Sequence, residues 1–503
     1  MPNFDLLVRN GAVATAADTF AADVAVKDGR IVALGEDLGN GVHEIDAKGK
    51  LVLPGGVEGH CHIEQISSNG VMTADDFYSG TVSAVFGGTT TVIPFAAQQR
   101  GESIRQVVEN YHACAGPKAV IDYGFHLIIS DPTDQVIGQE LPALIKDGYT
   151  SFKVYMTYDD LRLDDYQMLQ VLSAARREGA MVMVHAENHD MIRWLSEKLL
   201  DGGHWQPQYH AVSHSRTGEG EAAHRAIALS SLMDQPILVV HVSSEAAMDE
   251  IRLAQDKGLK IFAETCPQYL FLTAKDLERD GMDGAMFCCS PPPRDANDQE
   301  AMWRGLANGT FAVFSSDHAP YRYDDSGKLN AGPQPTFKQI ANGVPGIELR
   351  LPLLFSEGVG TGRIDLNRFV ALTSTNVAKI YGLHPQKGTI AVGTDADIAI
   401  WDPDLEQTIE HAMLHDNVGY TPYNGIKIKG WPTIVLSRGK IVVQNSKLHA
   451  ERGDGQFLPR SCPEAAKPLG RMVPEMDPAQ NFNAELINPV SYTHLTLPTS
   501  DLV

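Results

Sequence analysis

The chain has 503 residues, enough for one large barrel-type domain and a smaller one, because single cores rarely grow far beyond about 300 residues. Its composition, 43% hydrophobic and 21% charged, is that of a globular protein, and no run of about 18 apolar residues predicts a membrane span. A formal net charge of −22 without any basic run argues against nucleic acid as a partner.

The first residues, MPNFDLLVRNGAVATAA, lack the basic region, apolar stretch and cleavage site of a secretory signal, so we expect a cytoplasmic protein with no membrane partner. Six cysteines are scattered without a C-x-x-C pair, which argues against a disulfide framework and against a cysteine zinc ribbon. We expect these cysteines to be free thiols.

Short apolar strands separated by turn signals occupy both ends of the chain. FDLLVRNG, AADVAVKDGR and KLVLPGG stand near the start, and GTIAVGTDADIAIWDP and WPTIVLSRGKIVVQNSKL stand near the end. We predict that residues 1–53 and 384–450 form one small β-sandwich, interrupted by the middle of the chain. Residues 451–503 are predicted to be a C-terminal arm or a disordered tail, and the final SYTHLTLPTSDLV resembles an assembly or cloning artefact.

Residues 54–383 alternate apolar, β-rich runs with helical patterns. GGTTTVIPF, YTSFKVYMTY, AMVMVHAEN and PILVVHVSS predict strands, whereas DDYQMLQVLSAARREG and GEGEAAHRAIALSSLMD carry apolar residues at i, i+3 and i+4. Repeated strand–helix units imply a parallel sheet, and this many in a row favour a closed (β/α)8 TIM barrel. The fold class is therefore α/β, with the chemistry expected at the carboxyl ends of the barrel strands.

Side chains able to bind metal follow the predicted strands at or near their ends. They are His60 and His62 in VEGHCH, Lys153 in SFKVYM, His185 in VMVHAE, His241 in LVVHVS and Asp317 in FSSDHAP. His60 and His62 point to the same side if their segment is extended, because side chains alternate along a strand. Any one of the six could be a packed polar residue, but six at corresponding positions predict a metal site.

Lys153 differs from the others because an ammonium group cannot ligate a cation. A buried lysine with a lowered pKa can stay neutral and react with carbon dioxide, which gives a carbamate with two oxygens. That carbamate could bridge two metals. His60, His62 and Asp317 would hold one of them. His185 and His241 would hold the other.

These motifs together resemble the cyclic amidohydrolases of the amidohydrolase superfamily, most closely the hydantoinase and dihydropyrimidinase branch. The similarity includes LVLPGGVEGHCH, TADDFYSGTVSAVFGGTTTVIPF, GYTSFKVYMTY, FAETCPQYLFLT, CSPPPRD and NGVPGIELR. The resemblance implies a TIM barrel flanked by a β-sandwich, and two zinc ions bridged by N6-carboxylated Lys153. It also implies hydrolytic ring opening of small cyclic amides and imides, such as dihydropyrimidines or 5-substituted hydantoins, by a homotetramer or homodimer.

The resemblance further implies substrate contacts and a mechanism. Tyr158, Ser290 and Asn342 match substrate-binding residues of the branch, the last two largely through backbone groups. A hydroxide bound by the two zinc ions would attack the carbonyl carbon. Asp317 would accept the hydroxide's proton and return it to the ring nitrogen, while Tyr158 and one zinc ion would hold the oxyanion.

Several positions depart from the pattern of the branch and leave the substrate open. Cys61 and Glu64 stand where the branch usually has a threonine and an aspartate, and Gln65 follows them. HSR at 214–216 replaces an arginine and two prolines. An allantoinase-like ureide hydrolase is the alternative, because a polar ureido tail could contact Gln65 or Gln98.

Two further alternatives are less favoured. Dihydroorotase commonly carries an arginine two residues after the paired histidines to hold a substrate carboxylate, and this chain has Glu64 there. A non-catalytic scaffold of the same fold, like the collapsin response mediator proteins, would have lost metal ligands that are all present here. The histidines of GGHWQPQYHAVSHS, including the family position His210, are interpreted as surface or loop residues that do not bind the catalytic metal.

Overall fold

The computed structural model describes residues 4–67 and 69–486. Both ends of the chain contribute strands to two sheets. These strands are β1 (Phe4–Arg9), β2 (Ala12–Ala14), β3 (Thr19–Ala21), β4 (Asp23–Lys27), β5 (Arg30–Gly35), β6 (Gly41–Asp46), β7 (Leu51–Pro54), β18 (Ile398–Thr408), β19 (Lys427–Ser437), β20 (Lys440–Gln444) and β21 (Lys447–Leu448). One sheet has the order β5-β4-β1-β6, and the other has the order β21-β20-β19-β18-β7-β2-β3.

The N-terminal and C-terminal segments meet inside the larger of these sheets. Strand β18 runs antiparallel to β7, with Ala399 opposite Leu53. Apolar side chains of both sheets, among them Leu6, Val24 and Ile398, form one buried cluster. The predicted β-sandwich assembled from both ends of the chain is confirmed.

The middle of the chain forms the eight parallel strand positions of a barrel, which we call staves; each consists of one strand or of two short strands in line. Their strands are β8 (Gly56–Glu58), β9 (Thr89–Val92), β10 (Phe95–Ala97), β11 (Asp122–Tyr123), β12 (His126–Ile128), β13 (Ser151–Tyr155), β14 (Met181–His185), β15 (Ile237–Val239), β16 (Ile261–Thr265) and β17 (Val313–Phe314). Strands β9 and β10 form one stave interrupted by two residues, as do β11 and β12. Every pairing between neighbouring staves is parallel, from β8–β9 through β16–β17. The predicted (β/α)8 barrel is confirmed.

Helices lie between successive strands of the barrel along the chain, and three more follow the last strand. They are α1 (Phe77–Phe86), α2 (Ile104–Ala115), α3 (Leu141–Lys146), α4 (Asp165–Glu178), α5 (His189–Asp201), α6 (Tyr209–Ser213), α7 (Arg216–Met233), α8 (Glu245–Asp256), α9 (Gln268–Phe271), α10 (Ala296–Asn308), α11 (Arg350–Leu354), α12 (Leu366–Val370) and α13 (Asn376–Ile380). The two helices predicted from periodicity correspond to α4 and α7. Helix α4 shows why: Asp164 caps its first turn, accepting from the Gln167 amide, and Gly179 ends it in the left-handed conformation.

A buried ion pair closes the barrel between its last and first staves. The Arg350 guanidinium lies 3.1 Å from a carboxylate oxygen of Glu58, and both side chains are fully buried. Arg350 also donates to the carbonyls of Val57 and Phe314, one on each stave. Burial raises the pKa of Glu58, and the guanidinium opposes that rise. The ends of β8 and β17 are therefore held together by charge, and just beyond them an isolated parallel bridge pairs Cys61 with His318.

The described part of the C-terminal segment packs against the amino-terminal end of the barrel. Buried Arg460 donates to the Ser151 hydroxyl at the start of β13, at 2.6 Å. Short 3₁₀ turns at Glu464–Ala466 and Pro474–Met476 follow. Residues 487–503, which include the stretch predicted to be an artefact, lie outside the described residues. Within the described ranges, every helix is too short or too polar to cross a bilayer.

Replacing Arg350 by Met should strand the Glu58 carboxylate in the interior. We expect the free energy of unfolding to fall by about 3–5 kcal/mol, because breaking a buried pair leaves an uncompensated charge. Chemical denaturation of the purified variant measures this loss. The double variant Glu58→Gln/Arg350→Met removes both charges and should recover part of it. Equal losses in the single and double variants would show that the charge of Glu58 is not what Arg350 compensates.

Candidate metal centre

A cavity of about 560 Å³ lies at the carboxyl ends of the barrel strands. Five of the six residues predicted to bind metal line it, and the sixth, His60, lies fully buried directly behind them. The three residues predicted to contact substrate, Tyr158, Ser290 and Asn342, line the same cavity. All nine predicted site residues are therefore brought together at one end of the barrel.

One group of possible ligands consists of His60, His62 and Asp317, which could hold a metal ion. A single oxygen of Asp317, Oδ1, lies 3.1 Å from His60 Nε2 and 3.3 Å from His62 Nε2. Gly59 allows this approach, because a Cβ atom there would lie 2.7 Å from the ring of Tyr381. His60 and His62, which follow the first strand of the barrel, thus lie next to the Asp317 carboxylate, which follows the last.

A second group consists of His185 and His241, on adjacent staves. Nδ1 of His185 and Nε2 of His241 face each other at 2.8 Å. The His241 ring also lies near the first group, with its centroid 5.4 Å from that of His60. The division into two neighbouring ligand groups agrees with the division expected from the sequence.

Backbone conformation helps to turn two of these side chains inward. His241 and Asp317 have φ angles of 40° and 47°, in the left-handed region that residues other than glycine seldom adopt. Such a conformation costs on the order of 1–3 kcal/mol and persists only where the surroundings impose it. Both residues lie just past the ends of their strands, where the chain turns out of the barrel.

Lys153 is the central residue of β13 and is almost completely buried. Its Nζ lies 2.7 Å from His60 Nε2 and within 5.0 Å of the ring centroids of Phe95 and Tyr155. Burial lowers the pKa of Lys153 to about 8, although the carboxylates of Asp317 and Glu264 oppose this. A substantial neutral fraction near physiological pH follows, as carbamate formation requires.

The outer nitrogen of each of three histidines faces a hydrogen-bond acceptor. His60 Nδ1 contacts the Glu264 carboxylate, His62 Nδ1 lies 2.8 Å from Gln65 Oε1, and His185 Nε2 lies 2.8 Å from Glu187 Oε2. In a neutral imidazole the nitrogen facing an acceptor carries the hydrogen, so the other nitrogen presents its lone pair. These partners were not among the predicted site residues, although Glu187 and Glu264 stand in the motifs HAEN and FAETC.

The electrostatics of this arrangement fit a cation. The lone pairs of His60 Nε2 and His62 Nε2 and the Asp317 carboxylate are acceptors that converge within 3.3 Å. His185 Nδ1 presents another lone pair to His241. Acceptors this close repel one another unless a proton or a metal ion lies between them. Imidazole nitrogen and carboxylate oxygen are the ligand types that zinc accepts.

The histidines interpreted as surface or loop residues require a correction. His204 is exposed, but His210 and His214 are buried. Helix α6 folds back over the cavity, so that His210 Nε2 lies 2.9 Å from the Cys289 carbonyl and 3.2 Å from the Ser290 hydroxyl. Burial lowers the pKa of His210 to about 3, so its ring is neutral. The sequence interpretation was wrong because burial of a short helix depends on tertiary packing.

His214 extends the shell around the second ligand group. Its Nδ1 lies 2.8 Å from Glu187 Oε1, while the other oxygen of the same carboxylate faces His185. The rings of His210 and His214 pack with centroids 4.3 Å apart. A continuous row of polar groups thus joins the ligand His185 to the loop that carries Ser290.

Tyr158, Ser290 and Asn342 form a part of the cavity wall beside His185. The Tyr158 ring lies 5.3 Å from that of His185, and its hydroxyl is next to the side chains of Ser290 and Asn342. Burial raises the pKa of Tyr158 far above its ordinary value, although these two neighbours oppose the rise. The hydroxyl is therefore protonated at neutral pH.

Comparison with known proteins gives consistent matches over most of the chain. The model of the Amidohydrolase family matches residues 51–442. The D-hydantoinase of Rhizobium radiobacter is 44% identical over 457 residues, which cover 91% of this chain and 99% of that protein. The D-hydantoinase of Geobacillus stearothermophilus is 45% identical over 458 residues, or 90% and 96% of the two chains. The crystal structure of dihydropyrimidinase from Brevibacillus agri matches with a TM-score of 0.88 at 43% identity, covering 91% and 99%.

Glu264 offers a test of how the outer carboxylates act. Replacing it by Leu removes the acceptor at His60 Nδ1, so the lone pair at Nε2 is no longer enforced. We expect affinity for zinc to fall about 10–100-fold. Competition against a chromophoric chelator measures the change. Glu264→Gln keeps an acceptor of similar size and should lose less. If both variants bind zinc as the wild type does, Glu264 does not set the orientation of His60.

Proposed function

Because this chain belongs to the amidohydrolase family and is a cyclic amidohydrolase, which opens cyclic amides by hydrolysis, we propose that it acts on dihydropyrimidines or 5-substituted hydantoins with two zinc ions. The similarity to D-hydantoinases and to a dihydropyrimidinase over about nine-tenths of the chain confirms the resemblance to that branch. By the same analogy we propose a cytoplasmic homotetramer or homodimer.

The observation that carries the proposal is the convergence of imidazole nitrogens and a carboxylate on two neighbouring points. His60, His62 and Asp317 would hold one ion, and His185 and His241 would hold the other. N6-carboxylated Lys153 would join them, since its Nζ lies 2.7 Å from His60 Nε2 in the first group and lines the same cavity as His185 and His241 of the second. Bound there, the ions would polarise the ring carbonyl and lower the pKa of a water molecule toward neutrality.

We assign the proton transfer to Asp317. It lines the cavity, so one side of its carboxylate faces the space where substrate and water meet. Although burial raises the pKa of Asp317, the neighbouring imidazoles of His60 and His62 hold it well below the usual range. As a carboxylate, Asp317 accepts the proton of the attacking water and delivers it to the ring nitrogen when the C–N bond breaks.

Tyr158, Ser290 and Asn342 bind the ring. The protonated Tyr158 hydroxyl can donate to the oxygen of the carbonyl under attack, where negative charge develops. Within the described residues, the backbone N–H groups of Ser290 and Asn342 donate no hydrogen bond to the protein. They are therefore available to a ligand that carries acceptors, as the carbonyl groups of a cyclic amide or imide do.

The contacts of Gln65 and Gln98 argue against the allantoinase alternative, in which these two side chains would bind the ureido tail of the substrate. Gln98 is fully buried, and its side-chain oxygen accepts from the amides of Ser130 and Asp131. Its side-chain nitrogen donates to the Glu102 carbonyl. Gln65 lines the cavity, but its carbonyl oxygen already contacts His62. Gln98 is thus unavailable and Gln65 only partly available for such a contact.

A ring-opening assay tests the proposed function. Protein loaded with zinc in the presence of bicarbonate should open dihydrouracil or a 5-substituted hydantoin faster than succinimide, allantoin or dihydroorotate, as followed by loss of ring absorbance. Asp317→Asn serves as a control, which should turn over at a rate reduced by about 100-fold or more. A preference for allantoin would favour the alternative, and wild-type turnover by Asp317→Asn would contradict the proton transfer assigned to Asp317.

Lys153→Ala tests the bridging carbamate. We expect the variant to lose bound zinc and nearly all activity, because alanine cannot form the carbamate that would supply the two oxygens of the bridge. Metal analysis after dialysis and the ring-opening assay measure both effects. A short carboxylic acid added at high concentration should restore part of the activity by replacing the carbamate. Lys257→Ala, at an exposed helix end, is the matched control. Full activity of Lys153→Ala without any added acid would exclude the bridge.

A further inference from the structure

Lys328 is a second buried lysine close to the cavity, with a different set of partners. It is completely buried, and its ammonium group donates to three backbone carbonyls. The distances from Nζ are 2.7 Å to the oxygen of Cys288, 2.8 Å to that of Ala341 and 2.6 Å to that of Gly343. Within the described residues, no carboxylate forms an ion pair with it. All three N–H bonds of the ammonium are therefore used on main-chain oxygens.

The three carbonyls belong to the two segments that carry the proposed substrate contacts. Cys288 lies two residues before Ser290, and Ala341 and Gly343 flank Asn342. The Gly343 amide also donates to the Cys288 carbonyl, at 3.0 Å, so the segments touch directly as well. Gly343 has a φ of 152°, and a Cβ atom there would lie 2.4 Å from Ala319. The two segments are thus joined at one point, and Lys328 lies at that point.

The loop that carries Lys328 is itself tightly folded. The Lys328 amide donates to the Arg322 carbonyl at 2.8 Å, and Gly327 approaches that residue so closely that a Cβ atom would lie 2.1 Å from the same oxygen. The ammonium group is therefore presented from a fixed backbone.

Burying the charged Lys328 side chain without a counterion costs desolvation free energy. Burial lowers the pKa of Lys328 to about 8. A leucine or methionine would fill the same volume without this desolvation cost, so packing alone does not account for an ammonium group here. Three short charge-assisted hydrogen bonds instead fix the directions of three carbonyl groups, which an apolar side chain cannot do.

We propose that Lys328 is a positioning residue that holds the Ser290 and Asn342 segments at the separation needed to grip both sides of a cyclic amide. The inference rests on the proposed function, because that function makes the backbone groups of Ser290 and Asn342 the ring contacts. Lys328 itself does not line the cavity and would not touch substrate.

Lys328→Met tests the proposal, since methionine keeps most of the volume and removes every donor. We expect the KM for dihydrouracil or a hydantoin to rise about tenfold or more, because a shift of the two segments misplaces the ring contacts. The zinc content should stay at the wild-type value, because no ligand contacts Lys328. Lys257→Met, an exposed site with the same substitution, should leave KM unchanged.

Hydrogen exchange provides a second readout that does not need activity. In Lys328→Met the ammonium group no longer holds the Cys288 and Gly343 carbonyls together, so the Gly343 amide, which donates to the Cys288 carbonyl, should exchange at least about tenfold faster than in the wild type, while β13 and β14 stay protected. If the wild-type protein opens no ring, the proposed function fails, and this exchange measurement still decides whether Lys328 joins the two segments.

The outcomes separate positioning from simple stabilisation. A variant that melts at lower temperature but keeps the wild-type KM and Gly343 exchange would show that Lys328 only stabilises the fold, and would overturn the proposal. If Lys328→Met does not fold, Lys328→Gln, which keeps two N–H donors on a shorter side chain, is measured by the same two readouts. A raised KM together with faster Gly343 exchange in Lys328→Gln supports positioning, and wild-type values for both contradict it.

Discussion

The buried pair of Glu58 and Arg350 is the interaction on which both the barrel and its site depend. Neither charge is in contact with water, so each is compensated by the other and by the backbone groups of the staves they join. The Glu58 carboxylate also accepts from the amides of His60 and Ser316. One of these amides belongs to His60 itself, and the other belongs to the residue just before Asp317. The group that closes the barrel therefore also sets the backbone from which two proposed ligands project.

The ligand groups are prepared for a cation by residues that would not touch it. Glu264, Gln65 and Glu187 each accept a hydrogen bond from one imidazole and so direct the remaining lone pair inward. The result is a concentration of acceptors around Lys153 Nζ, which lies 2.7 Å from His60 Nε2. Lys153 is the one cationic group among them, and conversion of its amine to a carbamate would replace a positive charge by a negative one. Two divalent ions would offset that change, which would explain why a basic residue can belong to such a site.

Sequence periodicity predicted the barrel, the β-sandwich and helices α4 and α7, because these depend on local alternation and on repeated units. The six candidate ligands could be found because they follow strands, and strand ends of a parallel barrel meet at one place. Glu187 and Glu264 were missed, since a carboxylate within or beside a strand gives no local sign of the imidazole it faces. The burial of His210 and His214, and the three carbonyl partners of Lys328, depend on tertiary contacts between segments far apart in sequence, which no local pattern encodes.

Three residues at which this chain departs from its branch, Gln65, Gln98 and His214, support neighbouring residues in the structure. Gln65 contacts His62, and His214 contacts the carboxylate that faces His185, so both act on ligands without being ligands. The side-chain oxygen of Gln98 accepts hydrogen bonds from the amides of Ser130 and Asp131, which follow the neighbouring strand. None of them alters the set of groups that would bind metal or move a proton. Of the three, Gln65 and His214 line the cavity wall and Gln98 does not. The departures therefore leave the proposed ligands and the proposed proton transfer in place, and the hydrolytic chemistry stays that of the family.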